Sequence, residues 1–386
     1  MKNRDKTRAM PFPFYAVPVF LLALAGFFDS VYLSFSHFRV YTDLSYKSFC
    51  AISKAINCDT VSQSPYSIFL GVPVPVWGVL GYLFAIFLII FAWKDFKHQR
   101  RGWSAFLLVA SLFSTYSVIL ALISNYLIHS YCIMCIASYA VNLGLLTYAI
   151  IIKRRFLPGP FLKGLADDLK FFLFSWKRAV TLGMFGVAAA AMILWFPPYW
   201  HMNYDSLDTS LPHGMTEDGH PWIGAASPEL TIVEYTDYMC FQCRKMHVYL
   251  RKLVEAYPEK IRLVHKHFPM DNKVNPIVKE PFHVGAAKLA RIAVYAAAKG
   301  KFWETNDFLF SIPKKDINIK TIARAVGLEP AALAWALKSR EVGAVLNRDI
   351  LDGLKLGIAA TPSYEINGQV YTGIIPPDVI RKVIKG

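Results

Sequence analysis

The sequence predicts a bundle of membrane-spanning α-helices followed by an α/β domain that carries a helical insertion. Three observations carry that prediction. Of the 386 residues, 55% are hydrophobic and only 18% charged, too apolar for an ordinary soluble chain. The apolar residues gather into five runs of membrane-crossing length before residue 200. The remainder shows strand, helix, strand and hairpin patterns, and its first strong strand leads into a Cys-x-x-Cys. A formal charge of +15 would suit nucleic-acid binding only on a basic face of the soluble part. Here many basic residues crowd the ends of apolar runs, which argues against that class.

A spanning helix needs roughly 20 mostly apolar residues, and the candidates are about 13–36, 74–93, 104–126, 132–152 and 179–197. No small-residue cleavage site follows the first run, so it reads as a retained helix. Lys2, Arg4, Lys6 and Arg8 precede the first span, and Lys94, Lys97, Arg100 and Arg101 follow the second. Lys153, Arg154, Arg155, Lys163, Lys170, Lys177 and Arg178 follow the fourth. The positive-inside rule makes these segments cytoplasmic. The loop 37–73, the turn 127–131 and everything after about 198 are then outside, although Arg39, Lys47 and Lys54 lie in that outer loop. Trp77 and Trp103, near span ends, read as interface anchors. Asp29 is an unusual residue for a spanning helix, although its place near the outer end of the span weakens a functional reading.

That topology uses no cysteine, yet it puts all six on one side. They fall into close pairs: Cys50 with Cys58 in the outer loop, Cys132 with Cys135 at the outer end of the fourth span, and Cys240 with Cys243 in the last domain. Disulfides persist in such oxidising compartments. Cys50 with Cys58, taken alone, reads as a static disulfide. The other two pairs open helices, where unsatisfied N–H groups favour a thiolate, and this points to redox chemistry. No Cys or His completes either at zinc-site spacing, so no metal is expected.

Residues 153–200 read as a cytoplasmic loop and the fifth, linking span, and 201–226, rich in Pro, Gly, Ser and Asp, as a linker. From about 227 the pattern is regular. Residues 230–235 alternate as a strand and run into Cys240-Phe241-Gln242-Cys243, with helix to about 256. Cys240 is thereby expected as an exposed, low-pKa nucleophile and Cys243 as the buried resolving thiol. A strand at 261–268 precedes a helical region over about 281–356, where Ala-rich stretches favour helix. Residues 363–366 and 369–372 flank Asn367-Gly368, which suits a type I′ hairpin turn, and 377–384 forms a last amphipathic helix.

This order, with Thr361-Pro362 before the hairpin, resembles a thioredoxin fold of the DsbA-like class over roughly 225–386. The resemblance implies that Pro362, preceded by Thr361, is cis and packs beside the Cys-x-x-Cys. It also implies that Glu234 matches a buried acid used in proton handling near the resolving thiol; as a residue, Glu234 equally suits a polar strand face. DsbA oxidases often carry Pro-His between the cysteines, and Phe241-Gln242 replaces it here, which leaves the reduction potential open.

The outer-loop pair, Ser64-Pro65-Tyr66, Gly71-Val72-Pro73, Gly78, and Cys132, Cys135 and Tyr139 resemble the vitamin K epoxide reductase family over roughly 12–152. The resemblance implies a four-helix core, residues 1–152, fused to a domain that is its own redox partner. It implies a quinone, ubiquinone or menaquinone, beside Cys135, exchange of Cys132 with Cys58, and contact of Cys50 with the thioredoxin-like partner. Ser64 maps onto a hydroxyl residue near the redox centre. Tyr139, one turn beyond Cys135, is placed to donate to a quinone oxygen, and equally suits the interfacial aromatic belt. The expected function is a membrane oxidoreductase of a bacterial inner membrane that generates disulfides in exported proteins. Electrons would pass from Cys240-Cys243 to Cys50-Cys58, then Cys132-Cys135, then quinone. The alternatives are an isomerase or reductase role for the C-terminal domain, or a membrane-tethered holdase.

Overall fold

The computed structural model describes residues 11–44, 46–52, 56–94, 101–201, 204, 207–312 and 317–384. Lys2, Arg4, Lys6, Arg8, Lys54, Lys97 and Arg100 lie outside them. The chain divides into two compact units, Met1–Trp200 and His201–Gly386.

The first unit is helical. Its elements are α1 (Pro13–Thr42), the short α2 (Cys58–Ser62), the two-residue strands β1 (Ile68–Phe69) and β2 (Val72–Pro73), and α3 (Val74–Lys94). Then follow α4 (Trp103–Ile123), α5 (Ile133–Phe156), α6 (Phe161–Leu173) and α7 (Trp176–Trp195). Among the described residues five helices are long and apolar enough to cross a membrane, with a wider turn over Ser124–Ile128 lengthening α4. α1 packs against α3 and α5, and α4 against α5. The buried seam is rich in small residues, among them Ala16, Ala23, Ala85, Ala92, Ala110 and Ala149. Small side chains let helices approach where lipid removes the hydrophobic drive between them. Gly78 serves the same end, since a Cβ there would come within 2.5 Å of Ser30 Oγ on α1. α7 buries no residue and leans Phe185 edge-on to Phe84 of α3, ring centroids 5.1 Å apart.

In this unit three features differ from the sequence expectation. α1 runs six residues past its apolar stretch, to Thr42. Arg39, bonded to Asp43 at 2.6 Å and lying 4.4 Å over the Tyr46 ring, supports the added turn. The basic stretch expected as a loop holds α6, whose Asp168 accepts hydrogen bonds from Ser104 N (2.8 Å) and Ala105 N (3.0 Å) and so caps α4. Trp103, expected at the interface, is 1% exposed, because α6 folds over the start of α4 and Phe12 and Phe106 meet its ring edge-on.

The second unit is built on one six-stranded sheet. Its strands are β3 (His213–Met215), β4 (Pro221–Gly224), β5 (Leu230–Thr236), β6 (Ile261–His267), β7 (Ser363–Ile366) and β8 (Gln369–Thr372), in the order β3-β4-β6-β5-β7-β8. β5 and β6 are parallel, joined through α8 (Phe241–Ala256), and the other pairings are antiparallel. The insertion is α9 (Ala286–Ala297), α10 (Phe302–Ser311), α11 (Ile319–Val326), α12 (Pro330–Ala336) and α13 (Arg340–Lys355), and α14 (Pro377–Ile384) ends the described chain. Asn367 and Gly368 have φ of 52° and 78°, as the hairpin turn requires. The expected linker 201–226 is corrected here: its second half is β3 and β4, which pair with each other and, through β4, with β6. The polar, Gly-rich composition hid a sheet edge whose pairing partner lies about forty residues away, beyond the reach of local pattern.

Candidate redox-active sites

In the first unit the sequence brings four cysteines into one buried cluster, in which Leu33, Cys50, Cys58 and Cys132 pack together with Cys135 against them. Cys50 and Cys58 form a disulfide with Cα atoms 5.7 Å apart. Cys58 opens α2, capped by Asn57, whose Oδ1 accepts from Thr60 N at 3.1 Å. Asn57 also pins the loop, because its N–H donates to Tyr131 O at 2.9 Å, one residue before Cys132. Cys132 in turn is the N-cap of α5, its Sγ accepting from Cys135 N at 3.1 Å. An N-cap sulfur takes one of the orphan donors of the first turn, an arrangement that stabilises a thiolate. Cys132 and Cys135 are free thiols.

A cavity of about 210 Å³ opens beside Cys135, lined also by Ser64, Trp77, Tyr139 and Asn142. Cys135, Ser138, Tyr139 and Asn142 follow at helical spacing, which puts them on one face of α5. Ser64 Oγ donates to Val61 O at 2.8 Å, and Ser67 Oγ donates to Ser64 O at 2.8 Å. Two groups escaped the sequence reading. Asn142 accepts from Tyr82 Oη at 2.6 Å and donates to Ser117 Oγ at 2.9 Å, tying α3, α4 and α5 together beside the cavity. His37, 1% exposed, bonds Tyr199 Oη at 2.8 Å and Ser67 Oγ at 3.2 Å. The spacing on α5 would have revealed Asn142; no local signal marks His37.

In the second unit Cys240 caps α8, its Sγ accepting from Cys243 N at 3.3 Å. The Thr361–Pro362 bond is cis, and Cys240 Sγ donates to Thr361 O at 3.5 Å. This cover leaves Cys240 only 8% exposed, so the expected open nucleophile is a nearly buried one. The hydrogen bond from Cys243 holds the Cys240 thiol below the usual cysteine range against the opposing effect of burial. Burial drives Cys243 well above it. The two thiols thus differ in acidity, Cys240 being the more acidic.

Glu234 on β5 is 2% exposed and bonds His265 Nδ1 at 2.7 Å, while His265 Nε2 meets His267 Nδ1 at 3.1 Å. Burial raises Glu234 to about 7 and lowers both histidines to about 3. Asp237 builds the turn into Cys240: its carboxylate accepts from Met239 N (2.6 Å) and Met270 N (2.6 Å) and pairs with His283 Nδ1 (2.8 Å). Neither Glu234 with His265 nor Asp237 with His283 was apparent from the sequence, since the partners are 31 and 46 residues apart.

The sequence model described as the vitamin K epoxide reductase family matches residues 17–150, and one described as thioredoxin matches 216–386. The chain is 33% identical over 132 residues to vitamin K epoxide reductase complex subunit 1 of Mus musculus, covering 32% of this chain and 82% of that protein. It is 25% identical over 154 residues to a Na(+)/H(+) antiporter NhaA 1 of Mycolicibacterium gilvum (strain PYR-GCK), covering 39% of this chain and 24% of that protein. The chain thus spans about a quarter of the length of such antiporter relatives. Among solved structures, a thioredoxin-like oxidoreductase from Silicibacter pomeroyi DSS-3 is 26% identical, covering 48% of this chain and 96% of that one with a TM-score of 0.35.

Proposed function

The chain belongs to the vitamin K epoxide reductase family, and from that premise we propose that it is a membrane thiol–disulfide oxidoreductase that makes disulfides in exported proteins and delivers their electrons to a quinone. The observation that carries this reading is the cluster of Cys50, Cys58 and Cys132 with Cys135, which opens onto the cavity at Cys135. Two dithiol pairs in one buried cluster suit exchange between them, and a static disulfide needs no second pair beside it.

Substrate thiols reduce the Cys240–Cys243 disulfide: a substrate thiolate attacks one sulfur, a mixed disulfide forms, and the second substrate thiol displaces the enzyme. The low thiol of Cys240 is the good leaving group and the high one of Cys243 its resolving partner. The reduced pair then attacks Cys50–Cys58, and the loop pair reduces Cys132–Cys135. A quinone held at the cavity accepts two electrons and two protons when bound. Tyr139 and Ser64 would orient it, and the apolar faces of α3 and α4 would exclude water.

The test is anaerobic. Purified protein, reduced and freed of reductant, is given ubiquinone or menaquinone while quinone absorbance is followed. Loss of absorbance in the wild type that disappears in Cys135→Ala and Cys132→Ala supports the reading. A wild type that leaves both quinones oxidised removes it.

A further inference from the structure

The reaction above gives no task to one buried acid. Asp29 lies toward the cysteine end of α1 and is 9% exposed. Ser138 Oγ donates to its Oδ2, whereas its Oδ1 is buried with no hydrogen-bond partner among the described residues. A carboxyl with an orphaned oxygen inside a spanning helix is costly, and such acids typically serve proton or ion transfer.

Its surroundings are those of the redox centre. Leu33, one turn along α1, packs on Cys50, Cys58 and Cys132. Ser30, its chain neighbour, lines the cavity with Cys135. Ser138 lines that cavity too, and at three residues beyond Cys135 it shares one face of α5 with the thiol. The titratable groups facing Asp29 are Tyr82 from α3 and Cys132 and Cys135 from the start of α5. His37, two turns along α1, is committed to Tyr199 and Ser67. Among the described residues no cation is ion-paired with Asp29.

Resting on the quinone-reducing reading, we propose that Asp29 is the proton relay of the membrane redox centre: it takes a proton released by the Cys132–Cys135 dithiol and passes it through the Ser138 hydroxyl to the acceptor in the cavity. The balance closes. Two S–H bonds break, one S–S bond forms between Cys132 and Cys135, two electrons reduce a quinone to its quinol, and the two thiol protons follow them. Asp29 carries one of these protons and ends each turnover as it began. Asparagine at this position would still accept from Ser138 but would not exchange a proton.

The experiment uses full-length protein, reduced and freed of reductant, with a ubiquinone analogue, in wild type, Asp29→Asn, Asp29→Glu and Ser138→Ala, across a range of pH. Asp29→Asn and Ser138→Ala should each slow quinone reduction by about 10²-fold, and Asp29→Glu should restore part of the rate and shift its pH profile. A second readout needs no quinone: the infrared difference between dithiol and disulfide forms of quinone-free protein should contain a carboxyl C=O band that Asp29→Asn abolishes. Wild-type rates in both Asp29→Asn and Ser138→Ala, or no such band in the wild type, overturn the relay. If Asp29→Asn does not fold, Ser138→Ala, which keeps the acid, decides the matter. A wild type that reduces no quinone overturns the functional reading instead, and the infrared band then judges Asp29 by itself.

Discussion

Burial holds the Glu234 carboxyl up near 7 and the His265 and His267 imidazoles down near 3, so in this hydrogen-bonded set the acid titrates above the imidazoles. The folded value of Glu234 lies above the ordinary 4.5. Its protonated form therefore stabilises the fold, fully below about 4.5, and that contribution is lost as pH rises through about 7. The difference corresponds to roughly 3 kcal/mol. The histidine contributions run the other way, present above the unfolded value and lost as pH falls through about 3, and are common to both proteins compared. Glu234→Gln should thus gain on the wild type between about pH 5 and 8, by up to that amount, in unfolding midpoints measured side by side. A difference that stays constant with pH would place the carboxyl at its ordinary value. Of these groups the sequence marked only Glu234, through resemblance; its depth and its histidine partner come from β6 pairing beside β5.

At the scale of elements, helix starts organise the chemistry and the stability alike. Cys132 and Cys240 each cap their helix with sulfur, and this much was legible because a helix start is a local event. The cap of α4 was not, since Asp168 reaches it from 64 residues along the chain. Asp168→Ala should leave two N–H groups of α4 unpaired and cost about 1–2 kcal/mol of stability on the scale of cap deletions, read as a lower unfolding midpoint of the detergent-solubilised protein. An unchanged midpoint would mean that water or a neighbour replaces it. The loop carrying Cys50 is held to Tyr131 by Asn57 and, in the proposed relay, is the shuttle. Cys50→Ala should block transfer from Cys240–Cys243 to Cys132–Cys135, followed by trapping of thiols, yet keep dithiothreitol-driven quinone reduction largely intact. Loss of both would argue against the order assigned.

At the scale of the molecule, the two ends of the helical unit differ in character. Phe12, Trp103 and Phe156 pack at one end, where Arg155 bonds Tyr15 and Arg101 bonds Asp167. The four cysteines gather at the other, and Tyr199, bonded to His37, brings the end of α7 to that same side. This polarity supports the proposed orientation, basic end in the cytoplasm and redox end outside. In intact cells a membrane-impermeant thiol label applied from outside should reach Cys240 after reduction, whereas labelling by a cytoplasm-restricted reagent would reverse the topology.

The five apolar helices, the β5-to-α8 turn that presents Cys240 and the Asn367-Gly368 hairpin are legible in the chain alone. Each follows from composition or periodicity within about 20 consecutive residues, and local free energies suffice to decide it. It takes the packed fold to bring Cys50, Cys58, Cys132 and Cys135 into one cluster, to add residues 213–224 to the sheet, to bury Trp103 and to turn the Asp29 carboxyl toward Ser138. These depend on which distant helices and strands pack together. That choice rests on complementary surfaces summed over the whole fold, which no single stretch of chain encodes.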